Sequence, residues 1–208
     1  MVTTSMKNGR TYCFLHLRGA GRDDVELRAR LLGEVFPAWR RDTVAVWGVW
    51  SGLFGVASNE LLVIAAAADR RPLEAFTRPL SGIEIRDSLL LSPTVRPTDD
   101  APREKAGLYV FRFFTVADAD VAEVVRLSAE AWKTFENTAA YQSEPQGLFS
   151  QSGATGVGRM LLVTWYDGLE SWQKSRRPAP EAMENFLRRR ELTRGTVALA
   201  TNLVADWS

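Results

Sequence analysis

Tyr12-Cys13-Phe14-Leu15-His16-Leu17-Arg18 alternates with the two-residue period of a β-strand, and Tyr109-Val110-Phe111 opens a second strand in the same way. Working outward from this pair, the same signals recur in the same order. Helical spacing follows over residues 23–41 and 118–137, with Ala38-Trp39 in the first stretch and Ala131-Trp132 in the second. Gly52-Leu53-Phe54-Gly55 then aligns with Gly147-Leu148-Phe149-Ser150, and Leu61-Leu62-Val63 with Leu161-Leu162-Val163. In the first half, further strands are expected over 44–50, 61–67 and 88–95, with a helix over 72–80. In the second half they fall over 108–116, 145–151, 158–166 and 196–204, with a helix over 179–192. Each half thus reads strand, helix, strand, strand, helix, strand, which is the α+β ferredoxin-like unit. The units are residues 10–97 and 107–205, joined by a charged, proline-containing linker over 98–106. One such unit covers a single face of its sheet with helices. A tandem pair supplies the missing cover by packing the two antiparallel sheets together inside one chain.

Composition narrows the partners. Hydrophobic residues make up 46% and charged residues 25% of the 208, which permits a real core. Lysine and arginine number 26 against 25 aspartate and glutamate, so no net field draws in nucleic acid or an anionic membrane surface. The longest apolar run, residues 61–68, is far short of the roughly 20 residues that span a bilayer. With the single Cys13 excluding an intrachain disulfide and a cysteine metal cluster, and with a polar start over residues 1–10, a cytoplasmic protein is expected. No cofactor and no metal are called for. A homodimer is left open.

The alternation also proposes a site. Cys13, Leu15 and Leu17 form an all-apolar face suited to the helices, which turns Tyr12, Phe14, His16 and Arg18 toward the space between the sheets. Tyr109, Phe111, Phe113 and Thr115 answer them in the second half. His16, the only histidine, is the candidate to move a proton, and Arg18 the candidate to steady an anion. Tyr12, Phe14, Trp50, Tyr109, Phe111, Phe113 and Trp165 are the candidates to contact a small apolar or aromatic molecule. Gly153 to Gly158 lacks the Lys-Ser/Thr of a phosphate loop and leads into a strand, so it reads as a hairpin turn. The basic groups Lys174, Arg176, Arg177 and Arg188 to Arg190 read as solvated charge, the last three complementing a helix C-terminus.

Arg159-Met160-Leu161-Leu162-Val163-Thr164-Trp165-Tyr166-Asp167-Gly168-Leu169-Glu170-Ser171-Trp172 resembles the third strand and following helix entry of the dimeric α/β-barrel superfamily, which includes NIPSNAP-like proteins and antibiotic-biosynthesis monooxygenases. The first half has Ala65 and Ala66 where Trp165 and Tyr166 stand. The resemblance implies an intramolecular version of that barrel and a small-molecule binder or cofactor-independent enzyme of monooxygenase, isomerase or cyclase type. Its substrate would be aromatic or polyketide-like. In the cofactor-free monooxygenases an Asn and a Trp assist; Trp165 matches the Trp, while neither opening strand carries an Asn. Two other readings accompany this one: a non-catalytic NIPSNAP-like interaction module, and a haem protein resting on His16.

Overall fold

The computed structural model describes residues 9–75, 81–205 and 207. Strand β1 (Thr11–Gly19) leads into a helix whose first part, α1 (Val25–Arg30), passes through a π-helical turn (Leu31–Val35) into α2 (Phe36–Arg41). Then follow β2 (Ala45–Phe54), β3 (Glu60–Ala67), α3 (Arg70–Ala75) and β4 (Ile83–Pro93). The second half contains β5 (Leu108–Ala117), α4 (Val121–Phe135), β6 (Ser143–Gln151), β7 (Val157–Tyr166), α5 (Leu169–Lys174), α6 (Pro180–Glu191) and β8 (Thr193–Leu203). The expected helix over 72–80 starts at Arg70, and its residues 76–80 lie outside the described residues. β4 begins at Ile83, ahead of the expected 88, because Glu84 and Arg86 occupy an exposed face while the backbone pairs with β1.

The two sheets are one. All eight strands join in a closed antiparallel ring, β1-β3-β2-β8-β5-β7-β6-β4, in which β4-β1-β3-β2 of the first half repeats as β8-β5-β7-β6 of the second. The expected face-to-face packing is therefore hydrogen-bonded at both seams. Each seam is short: Trp50–Phe54 meets Ala200–Leu203, and Leu91–Pro93 meets Phe149–Gln151. Below the seams, β4 pairs only with β1 and β8 only with β5, so the lower barrel splays open.

Strand register corrects the alignment of the halves. Phe14 lies opposite Ile64 and Phe111 opposite Val163, so Leu62, Ile64 and Ala66 correspond to Leu161, Val163 and Trp165. The match of Leu61 to Leu161 is off by one residue, which would reverse the faces of β3. A bulge breaks register at Val46/Gly48 and again at Pro145/Gly147, so the counterpart of Gly147 is Gly48 and not Gly52. At both glycines a ring two residues on lies flat across the backbone. A Cβ at Gly48 would stand 2.3 Å from the Trp50 indole, and one at Gly147 would stand 2.4 Å from the Phe149 ring.

The core divides into three layers. Cys13, Leu15 and Leu17 pack outward with Leu27, Phe36 and Trp39, while Val110, Phe114 and Leu148 pack outward with Val124, Trp132 and Phe135. Tyr12, Phe14, Trp47, Trp50, Tyr109, Phe111, Phe113, Phe149 and Trp165 fill the barrel between them. Residues 98–106 are more than a linker, because they cap the upper end of this aromatic interior. Tyr12 Oη donates to the Asp99 carbonyl (3.1 Å), Tyr109 Oη to Lys105 (2.8 Å) and Trp165 Nε1 to Ala106 (2.9 Å). Arg103 stacks over Trp47 and the Lys105 ammonium lies 3.4 Å from the Trp165 ring centroid.

Because neither ring can move within the filled interior, Gly48→Ala and Gly147→Ala should each destabilise the fold by about 1–3 kcal/mol, the usual cost of overpacking. Urea unfolding monitored by tryptophan fluorescence checks this, and a wild-type midpoint in either variant would contradict the assigned packing.

Candidate functional site

The seven aromatic residues expected to contact a ligand all face the barrel interior, as the alternation requires, and they occupy it with one another. Phe14 and Phe113 have ring centroids 4.9 Å apart, Trp50 and Phe111 5.0 Å, and Trp50 and Tyr109 5.5 Å. Tyr12 packs on Phe149, and Trp165 is sealed under the cap. Trp50 Nε1, like Trp47 Nε1, is buried without a hydrogen-bond partner among the described residues. Of the seven, Phe14 and Phe113 also line an opening, a depression of about 330 Å³ at the lower mouth of the barrel.

His16 stands in this mouth, with Asp87, Thr115, Arg159, Val197 and Leu199 around it. Its Nε2 lies 2.8 Å from Glu60 Oε2. Arg18 does not line the mouth. It grips Glu60 Oε1 through Nε and Nη2 at 2.8 and 2.6 Å and reaches toward Glu84 at 3.6 Å. The cation at the mouth is Arg159, whose guanidinium makes a two-pronged pair with Asp87 (3.0 and 2.7 Å) and lies over the Phe113 ring. Desolvation would raise the Glu60 carboxyl, yet hydrogen bonds from the Ala57 amide, His16 and Arg18 outweigh it and bring the group down to about 2. Burial pushes the Cys13 thiol up to about 12, so that residue packs as a small hydrophobe.

A larger opening lies outside the barrel, where the sheet of the second half meets α4, α5 and α6. This cleft holds about 800 Å³, near the upper end of the range for small-molecule sites. Its apolar wall includes Phe114, Trp132, Leu162, Met183 and Phe186. Interleaved with these are Arg112 from β5, Arg176 after α5, and Arg189 and Arg190 from α6. Arg189 is 8% exposed, hydrogen-bonded through Nη1 to Ser128 Oγ (3.1 Å) and set against the Phe186 and Phe114 rings. Among the described residues no carboxylate pairs with Arg112 or Arg189. Burial and the neighbouring Arg112 charge lower the Arg189 guanidinium to about 10, and burial likewise lowers Arg112. Tyr166 also lines the cleft; burial raises its phenol, which stays a protonated donor at neutral pH.

None of these cleft residues was expected to act in the site. Arg189 sits within the basic cluster read as solvated charge at a helix end, yet it is buried, so that reading fails for it. The available signal was Arg112. It interrupts the outward, apolar face of β5 at the position where Leu15 stands on β1.

The reading of the chain as a haem protein rests on His16 alone. The sole histidine has Nε2 engaged by Glu60 at the barrel mouth, and none lines the cleft. Among the described residues no helix is long and apolar enough to cross a membrane.

The closed eight-stranded ring with helices outside gives the chain the fold of the dimeric α/β-barrel, ferredoxin-like superfamily. It is similar to an anthrone oxidase-like protein at 17% identity and a TM-score of 0.65, covering 96% of this chain and 93% of that one. A chlorite dismutase variant from Candidatus Nitrospira defluvii, in complex with cyanide, superposes at 14% identity and a TM-score of 0.60 over 98% of this chain and 95% of the other. A candidate monooxygenase from Lactobacillus acidophilus does so at 12% identity and a TM-score of 0.56, over 94% and 93%. No family model and no curated protein matches the chain.

The lowered Glu60 pKa ties the fold's stability to pH. A carboxyl lower in the folded than in the unfolded chain contributes stability above its unfolded value of 4.5, and that contribution is lost as pH falls toward about 2. Glu60→Gln should therefore flatten the acid limb of thermal stability between those values. Parallel melting curves for the variant and the parent across that window would contradict the network.

Proposed function

We propose that the chain binds a small amphipathic molecule, a flat apolar body carrying an anionic group, in the cleft outside the second-half sheet. The observation that carries this reading is the pair of desolvated guanidiniums, Arg112 and Arg189, without a carboxylate among the described residues. Burying an unpaired charge is costly, and an anion seated between the two would supply the missing partner through charge-assisted hydrogen bonds. Trp132, Phe114 and Phe186 offer flat surfaces for the apolar body. A ligand of aromatic or polyketide-like type, the class that the sequence resemblance implies, combines both features when it carries a carboxylate or an acidic hydroxyl. The names of the structural neighbours, an anthrone oxidase-like protein and a candidate monooxygenase, are compatible with such a ligand. Buried unpaired charge is an expensive feature for a module serving only assembly, which argues against the purely structural alternative. The repeated strand order and the paired bulges support descent of the two halves from one duplicated unit.

Anilinonaphthalene sulfonate and its uncharged relative N-phenylnaphthylamine separate the anionic from the apolar contribution. The sulfonate should bind with quenching of tryptophan emission, and Arg112→Met should weaken it by about tenfold or more, the worth of one charge-assisted bond. N-phenylnaphthylamine should be unaffected. The same substitution removes an unpaired, half-buried charge, so the unliganded variant should melt at the parent temperature or above it. Equal loss of both dyes, or a collapsed apo fold, would count against an anion seat.

A further inference from the structure

The barrel mouth lies on the other side of the sheet from the cleft, and its geometry defines a chemistry of its own. Glu60 is buried and held on every side, by Ala57 N at 3.0 Å, by Arg18 on Oε1 and by His16 on Oε2. Held as a carboxylate, it only accepts hydrogen bonds, so the proton between it and His16 belongs to imidazole Nε2. In the neutral ring that leaves Nδ1 with its lone pair, and Nδ1 has no partner among the described residues. A carboxylate fixing the tautomer of an imidazole is the arrangement by which a histidine becomes a directed base.

We propose that the mouth is a second small-molecule site, which takes a single-ring aromatic alcohol and accepts its hydroxyl proton on His16 Nδ1. The ring would lie against Phe14 and Phe113, with Leu199 and the exposed Val197 beside it, in a space of about 330 Å³. The ligand O–H bond breaks, an N–H bond forms on Nδ1, and the electron pair stays on oxygen. Glu60 balances the imidazolium, and Arg159, already over the Phe113 ring, faces the oxyanion. A phenolic hydroxyl, with a pKa of roughly 10 or below, is within reach of imidazole, whereas an aliphatic alcohol is not. The charged groups around His16 are Arg18 on its own strand, Glu60 from β3, Glu84, Arg86 and Asp87 from β4, and Arg159 from β7. Arg18 is a positioning residue, since it acts through Glu60.

The test uses the full chain and 4-nitrophenol, whose phenolate is yellow, in buffer below the probe's own pKa. The parent protein should bind it and develop the yellow band. His16→Gln keeps a donor for Glu60 but no base, so it should lose the band while still binding 4-nitroanisole, which has no proton to give. If that variant fails to fold, His16→Phe, the residue at the matching position of the second half, serves instead. Glu60→Gln should diminish the band, and Arg112→Met should leave it intact. A band that survives in both His16 variants, one that disappears with Arg112→Met, or failure of the parent to bind 4-nitrophenol would each overturn the assignment. The outer-cleft reading stands or falls separately on the sulfonate dye.

Discussion

An eight-stranded barrel has an interior only about as wide as the side chains that line it. In this chain that space receives four tryptophan, tyrosine or phenylalanine rings from the first half and five such aromatic side chains from the second when β1, β2, β5, β6 and β7 turn inward: Tyr12, Phe14, Trp47 and Trp50, then Tyr109, Phe111, Phe113, Phe149 and Trp165. Rings of this size leave the centre to packing. Any ligand must then be taken at an end of the barrel or outside its wall. The upper end is covered by residues 98–106, whose backbone carbonyls receive the polar tips of Tyr12, Tyr109 and Trp165. That leaves the lower mouth and the outer layer.

The two outer layers differ although their strands share one plan. On β1 the outward positions are Cys13, Leu15 and Leu17, and the long first helix closes over them with Leu27, Phe36 and Trp39. On β5 the position matching Leu15 is Arg112, and a guanidinium there cannot be covered by apolar side chains without a large desolvation cost. The cleft between α4, α5, α6 and the sheet follows from that exchange. Arg189 adds a second cation on the facing helix, with Ser128 as its hydrogen-bond acceptor and aromatic faces on either side. Stability alone disfavours such an arrangement, and it is on this imbalance that the proposed anion seat rests.

Much of this was legible because strand alternation is a strict rule. It placed Tyr12, Phe14, Tyr109, Phe111 and Phe113 on the inner face and Cys13, Leu15 and Leu17 on the outer one, and the element order gave the ferredoxin-like halves. What alternation cannot show is a bulge. The extra residue at Val46/Gly48 and at Pro145/Gly147 shifts the register within β2 and β6, so matching short motifs by identity paired Gly52 with Gly147 and Leu61 with Leu161. Nor does a local pattern reveal how tightly a helix seats on its sheet. Arg188, Arg189 and Arg190 are indistinguishable as a run of charge, and only the packing of α6 against α4, with Ser128 and the Phe114 ring beside the guanidinium, buries the middle one.

The short seams connect these features. Because β2 meets β8 only from Ala200 upward, the lower part of β8 is held by β5 alone and both of its faces remain accessible. Gly195 accordingly lines the mouth and the cleft together, with Val197 and Leu199 turned to the first and Thr196 and Ala198 to the second. On β5, Phe113 and Thr115 line the mouth and Arg112 the cleft, while Phe114, like Gly195, borders both. A longer seam would have covered this edge and closed the barrel end, at the expense of the mouth. The same two strands therefore form the single-layer wall between both openings, and the alternation that identifies the fold turns Phe113, Thr115, Val197 and Leu199 to one side of it and Arg112, Thr196 and Ala198 to the other.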